Sequence, residues 1–249
     1  MSQGISFNIY VMSYRRAHEI MTKDLVEYCT YVVREEEAQE YRDAGIEDLL
    51  IIPNGATTST GCRIFNWVTT FFWIIENTPE DVVCILDDDI QSFIYRTIDR
   101  VNIRKDKQNH QEVATSEIER IAQLLVDLNL GFACDMPNKA LYAYSGEFEF
   151  KCTPAGVRWV NKAAFKAVCR PEDDAASDVD IVMQELLKNR IILNPRYFCG
   201  DNIMYTNKGG SDHITSEANE QYKLAMKNKW GRYFDFDNKK NIVKINVKR

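Results

Sequence analysis

The chain has 249 residues, 45% hydrophobic and 27% charged, with 11 glycines and 6 prolines. A chain of this size is within the range of one α/β domain and buries most of its unfolded surface, so it needs no disulfide or zinc staple. Its seven cysteines (Cys29, Cys62, Cys84, Cys134, Cys152, Cys169 and Cys199) are odd in number, scattered, and include no CxxC pair. That pattern argues against a disulfide framework and points to free thiols in a reducing compartment.

The net charge of −6 argues against a protein coated in basic residues. Two stretches are nevertheless basic. Lys223 to Arg249 holds nine Lys or Arg against two Asp, and Tyr95 to His110 holds five against two. Such patches suit either a polyanion or plain solvation. The N-terminus lacks a basic segment followed by an apolar run, and the strongest apolar stretch, Trp67 to Ile75, is too short to span a bilayer. The expected location is cytoplasmic, with no membrane partner.

In chain order, Ile5 to Met12 reads as an apolar strand ending in the polar turn Ser13-Tyr14-Arg15-Arg16. Residues 22–27 suit a short helix, and Tyr28 to Val33 a second strand. Arg34 to Tyr41 is rich in helix formers with acids in the first turn, and Gly45 is placed to cap it. Leu49 to Ile52 is a third strand, stopped by Pro53-Asn54-Gly55; residues 61–76 read as an apolar helix carrying Arg63 and Asn66 near its start. Val82 to Leu86 is a fourth strand running into Asp87-Asp88-Asp89.

Residues 95–114 read as a polar, basic loop, followed by an amphipathic helix from Ser116 to Leu128 with Thr115 as its cap. Leu130–Cys134, Leu141–Tyr144 and Glu147–Lys151 read as short strands, Trp159–Val168 as mixed, Asp180–Lys188 as a helix and Ile191–Leu193 as a strand. Nearly continuous apolar strands separated by helices imply an α/β fold with a mostly parallel sheet buried on both faces. No repeat or linker divides the chain, so one domain spans 1–249, with a basic extension from about 223.

In open α/β sheets ligands bind beyond the carboxyl ends of the strands, which is where Asp87, Asp88 and Asp89 fall. Adjacent carboxylates repel unless something positive neutralises them. Alternation along an extended chain would put Asp87 and Asp89 on one side, matched to a hard divalent cation. Asp178 stands at the head of a helix, where it either caps the helix or takes a proton from a hydroxyl. His213 lies in the loop Asn207-Lys208-Gly209-Gly210-Ser211-Asp212-His213, whose glycines permit close backbone approach to a ligand.

Asp87-x-Asp89, Ser177-Asp178-Val179-Asp180 and His213, in that order, resemble a GT-A-fold glycosyltransferase over roughly residues 5 to 215. The resemblance implies a single Rossmann-like GT-A domain, a UDP-sugar donor and Mn²⁺ or Mg²⁺. It implies metal ligands among Asp87, Asp89 and His213, and Asp178 as the base of an inverting reaction. Ser13, Arg15, Arg34, Asn54, Arg63, Asp87, Asp88 and Lys208 would then meet the donor. Ser177 departs from the pattern, since many inverting members carry Glu there. The short chain, the Asn-Lys-Gly-Gly loop and the basic ending are also similar to phage-type enzymes that glycosylate hydroxymethylated bases in DNA.

Two other readings stay open. A sugar nucleotidyltransferase would carry a glycine-rich loop after the first strand, where this chain has Ser13-Tyr14-Arg15-Arg16. A non-catalytic nucleotide- or DNA-binding module would use the acids structurally. Among the aromatics, Phe71-Phe72-Trp73 reads as core, while Tyr142, Tyr144, Phe148 and Phe150 suit either strand burial or a stacking platform.

Overall fold

The structure is a computed structural model describing residues 4–96, 100–103, 108–136, 146–202, 215–237 and 242–248, apart from the side chains of 96, 100–103, 173–175 and 242. Lys208, His213, Tyr142 and Tyr144 lie outside the described residues.

The elements are β1 (Phe7–Met12), β2 (Thr30–Arg34), α1 (Ala38–Asp43), β3 (Leu49–Ile52), α2 (Trp67–Asn77) and β4 (Val82–Asp87). Then follow β5 (Ile90–Arg96), β6 (Arg100–Ile103), α3 (His110–Asp127), β7 (Phe132–Cys134), β8 (Phe148–Glu149) and β9 (Val157–Asn161). The chain continues through α4 (Ser177–Lys188), β10 (Asn194–Pro195), β11 (Phe198–Asn202), α5 (Ser216–Trp230), β12 (Phe234–Asp237) and β13 (Ile242–Ile245).

The central sheet has the order β3-β2-β1-β4-β9-β7. β1 to β4 are mutually parallel, and β9 enters antiparallel between β4 and β7. Period-two alternation sorts the strand residues between two layers. Ile9, Val11, Val33, Cys84, Leu86 and Trp159 pack with α1 and α3 on one face. Tyr10, Val32, Val83, Ile85 and Val160 pack with α2 and α4 on the other. Helices therefore cover both faces of a mostly parallel sheet, as the apolar strands imply.

Several local expectations change. Residues 22–27 form turns, not a helix. The amides of Met21 and Thr22 and the Thr22 hydroxyl are spent on the carbonyls of Asp88 and Asp87, and Asp24 adopts a left-handed φ of 63°. That wiring anchors the acidic turn. The helix expected from 61 begins at Trp67, because Asn66 is its N-cap in a capping box with Thr69, while Gly61 turns at φ 82° and Thr57 bridges to Arg63.

In place of the loop expected over 95–114, the described residues are the end of β5, the strand β6 antiparallel to it, and the start of α3. β5 also pairs with β11 and is the middle strand of a three-stranded sheet. Thr115 is buried inside α3, where its hydroxyl accepts from the Glu27 amide. Gly45 does cap α1, as expected. At φ 77° its amide bonds to Arg42 O and the next amide to Tyr41 O, a Schellman arrangement.

Candidate active site

β4 ends at Asp87, and Asp88 and Asp89 form the turn into β5. Strand alternation stops there, and the three carboxylates acquire three different partners.

Asp87 receives both terminal nitrogens of Arg158, at 2.8 and 3.3 Å. Arg158 projects from β9, is buried, and stacks over the Trp67 ring at 4.5 Å. Burial alone would lower its pKa; the charges of Asp87, Asp178 and Asp135 outweigh that and raise it. Among the described residues its Nε has no hydrogen-bond acceptor.

Asp88 turns inward and is 5% exposed. One oxygen pairs with Arg16 at 2.6 Å, and the other accepts from Ser13 Oγ at 2.6 Å. Ser13 Oγ in turn accepts from the Tyr41 hydroxyl at 2.7 Å. Burial pushes the Asp88 carboxyl up to about 6, against the opposing pull of Arg16 and Ser13. Ser13 and Asp88 are thus bonded to each other within the protein.

Asp89 is partly buried, and one of its oxygens accepts from Asn202 Nδ2 at 2.8 Å. Its pKa is raised, first by burial and then by the Asp87 charge. Arg16 acts on it only at a distance, and among the described residues no cation pairs with it. Of three adjacent carboxylates, two hold guanidinium groups and Asp89 holds a neutral amide. No group of three or more His, Cys, Asp or Glu side chains converges on one metal position among the described residues. The Asp89 carboxylate is a donor of the type a hard dication takes.

Asp178 lies in the first turn of α4 rather than at its cap, which is Ala176. Burial raises its pKa, and the Arg158 charge opposes the rise. Arg158 therefore acts on both Asp87 and Asp178.

At the ends of β2 and β3, a pocket of about 120 Å³ is lined by Arg34, Ile52, Asn54, Gly55, Arg63 and Ile64. These come from the ends of β2 and β3 and the segment leading into α2, all at the carboxyl edge of the sheet. Arg34 donates to Ile64 O at 2.8 Å, and Glu35 holds the Asn54 amide at 2.7 Å. Arg15 and Arg34 both sit over the Tyr14 ring, at 4.9 and 5.2 Å. Arg34, Asn54 and Arg63, far apart in sequence, are brought together here; Arg15 is exposed at the neighbouring turn.

The C-terminal segment is tied to α4. Buried Asp180 accepts from Trp230 Nε1 and Gln184 at 2.8 Å each, and pairs with Lys229 at 3.2 Å and Arg170 at 3.3 Å. Met226 and Phe234 pack on Val179 and Met183. Lys227 donates to Phe234 O, and Lys223 is buried. Some of the basic residues counted from 223 onward therefore serve intrachain contacts.

Three contributors went unnoticed in the sequence. Arg158 and Asn202 carry no motif around them. Asp135 is fully buried at the end of β7, where its two oxygens accept the amides of Val157 and Gly200. The available signal was positional: Asn202 and Asp135 sit at or just beyond a strand end, and Arg158 is the second residue of β9.

No protein-family model matches the sequence, and no curated protein sequence matches it. Among solved structures, the chain is similar to glucosyl-3-phosphoglycerate synthase from Mycobacterium tuberculosis. For that enzyme's complex with Mn²⁺, uridine diphosphate and phosphoglyceric acid the TM-score is 0.51 at 6% identity, covering 97% of this chain and 87% of that one. For its complex with Mn²⁺, UDP-glucose and phosphoglyceric acid the TM-score is 0.52 at 7% identity, covering 92% and 80%. At such identities the likeness is one of fold, the α/β fold of GT-A glycosyltransferases.

Proposed function

We propose that this protein is a metal-dependent glycosyltransferase that moves a hexose from a UDP-sugar to an acceptor hydroxyl. The observation that carries the reading is the charge balance after β4, where Asp89 is the carboxylate without a paired guanidinium among the described residues. A Mg²⁺ or Mn²⁺ ion, when bound, supplies positive charge to a departing diphosphate. Asp89 would hold it together with His213. Asp87 stays beside that position, its charge offset by Arg158, and contributes to binding the donor ribose. The fold likeness adds support, because those solved complexes contain Mn²⁺ and a uridine nucleotide.

The pocket of Arg34, Asn54 and Arg63 receives the nucleoside end of the donor, with Arg15 at its margin. Lys208 adds positive charge near the phosphates. Asp88 and Ser13 act from within, fixing the turn that presents Asp87 and Asp89. Asp178 takes the proton from the acceptor hydroxyl, giving inversion at the anomeric carbon. Burial raises its affinity for protons, which suits a base, and the Arg158 charge works against that rise.

The acceptor class we favour is a hydroxymethylated base in phage DNA. Its support is the sequence resemblance and the basic residues after 223 that remain exposed, such as Arg232, Lys244 and Lys248. The test is release of nucleotide diphosphate from a panel of nucleotide sugars with Mn²⁺ against chelator. Sugar incorporation into DNA with and without hydroxymethylated bases follows. Metal-dependent release supports the transferase, and incorporation restricted to modified DNA supports the acceptor. A protein that releases nothing from any donor is not this enzyme.

A further inference from the structure

We propose that Asn202 is a positioning residue that orients Asp89 for the divalent cation, and that Gly156 is the notch that admits it. The inference rests on the metal-site reading above. Asn202 ends β11 and reaches across to Asp89 with its Nδ2 at 2.8 Å. Gly156 precedes β9, and its carbonyl accepts the Asp87 amide at 2.9 Å, so it lies against the base of the acidic turn. A Cβ on Gly156 would stand 2.2 Å from Asn202 Nδ2, 2.7 Å from its Oδ1 and 2.8 Å from its Cγ. All three contacts are far inside van der Waals distance. Relief falls on the end of the Asn202 side chain, which would have to shift from its place against Asp89.

Two further features shape the same place. The β11–β5 register shifts between Gly200 and Asn202, an irregularity of the kind that re-aims the side chain beside it. Gly200 is also close-fitted: a Cβ there would lie 3.1 Å from Asn202 Oδ1 and 3.4 Å from Asp135 Oδ2. Asp135 clamps the two strands that form the notch, by accepting the Val157 and Gly200 amides at 2.9 and 2.8 Å. A buried carboxylate, two glycines and a register shift thus converge on one amide, whose described contact is Asp89. Hydrogen-bond partners of this kind fix the orientation of a metal-binding carboxylate, and their loss typically weakens metal affinity about 10–100-fold.

The experiment is a Mn²⁺ titration of the full chain followed by electron paramagnetic resonance, with thermal unfolding of the metal-free protein alongside. Asn202→Ala is expected to weaken Mn²⁺ binding about tenfold or more while shifting the metal-free midpoint little. Gly156→Ala should weaken binding similarly and lower the midpoint. In the Asn202→Ala background, Gly156→Ala should do neither, since the side chain it displaces is already gone; this keeps the test decisive even if Gly156→Ala alone folds poorly. Asn202→Ala binding Mn²⁺ as tightly as the wild type overturns the role of Asn202, with the metal site intact. A wild type that binds no Mn²⁺, with or without uridine diphosphate, overturns the metal reading and this inference with it.

Discussion

Replacing Arg158 with Met removes the guanidinium paired with Asp87 and keeps an aliphatic chain against Trp67. Removing one partner of a buried ion pair typically costs about 3–5 kcal/mol, because a charge is left uncompensated. Here the abandoned partner, Asp87, is 28% exposed at its side chain. Water can reach it and recover part of the loss, so about 2–3 kcal/mol is expected. In a chain of 249 residues this lowers the melting midpoint by about 5–10 °C. Asp87→Asn is the harsher change, since Arg158 is 5% exposed and is left without its bidentate counterion.

The double variant Asp87→Asn/Arg158→Met leaves neither charge behind and should fall well short of the summed losses, with a coupling of about 1 kcal/mol or more. Urea unfolding followed by far-UV circular dichroism measures all four corners of the cycle. Losses that add to within about 0.3 kcal/mol would refute the reasoning, because independent sites behave that way.

Trp230→Phe deletes the 2.8 Å bond to buried Asp180 and should cost about 1.5–3 kcal/mol in the same assay. Asn66→Ala removes the capping box of α2 and should cost about 1 kcal/mol. Burial pushes the carboxyls of Asp88 and Asp135 each up to about 6. Both therefore contribute stability at low pH that is lost as pH rises through about 6; carboxyl carbon chemical shifts should show each titrating near there rather than near 3.8. Asp178→Asn should still bind a nucleotide sugar, seen as a thermal shift, but lose transfer by about 100-fold or more.

The sheet was legible because its strands are apolar on both faces, and β3 in particular is bounded by Pro53-Asn54-Gly55. The pocket was legible in part for a related reason: Arg34 and Asn54 sit at strand ends, and parallel strands bring their carboxyl ends to one edge, whereas Arg63 was expected on a helix that in fact begins at Trp67. What escaped was tertiary. Whether Asp87 or Asp89 is free depends on Arg158, 71 residues beyond Asp87, and on Asn202, 113 residues beyond Asp89. Neither local propensity nor alternation carries such information. The helix expected at 22–27 failed likewise, because Thr22 found better partners in the carbonyls of Asp87 and Asp88. His213 and Lys208 remain expectations from the sequence, outside the described residues.

The central claim is the proposal that Asp89, which alone of the three adjacent carboxylates has no paired guanidinium among the described residues, holds the divalent cation. Mn²⁺-stimulated release of uridine diphosphate from a UDP-sugar, compared between the wild type and Asp89→Asn, tests it most directly. The account predicts stimulated release by the wild type, and a loss of about 100-fold or more in Asp89→Asn with unfolding unchanged. Stimulated release that survives Asp89→Asn at the wild-type rate would contradict it.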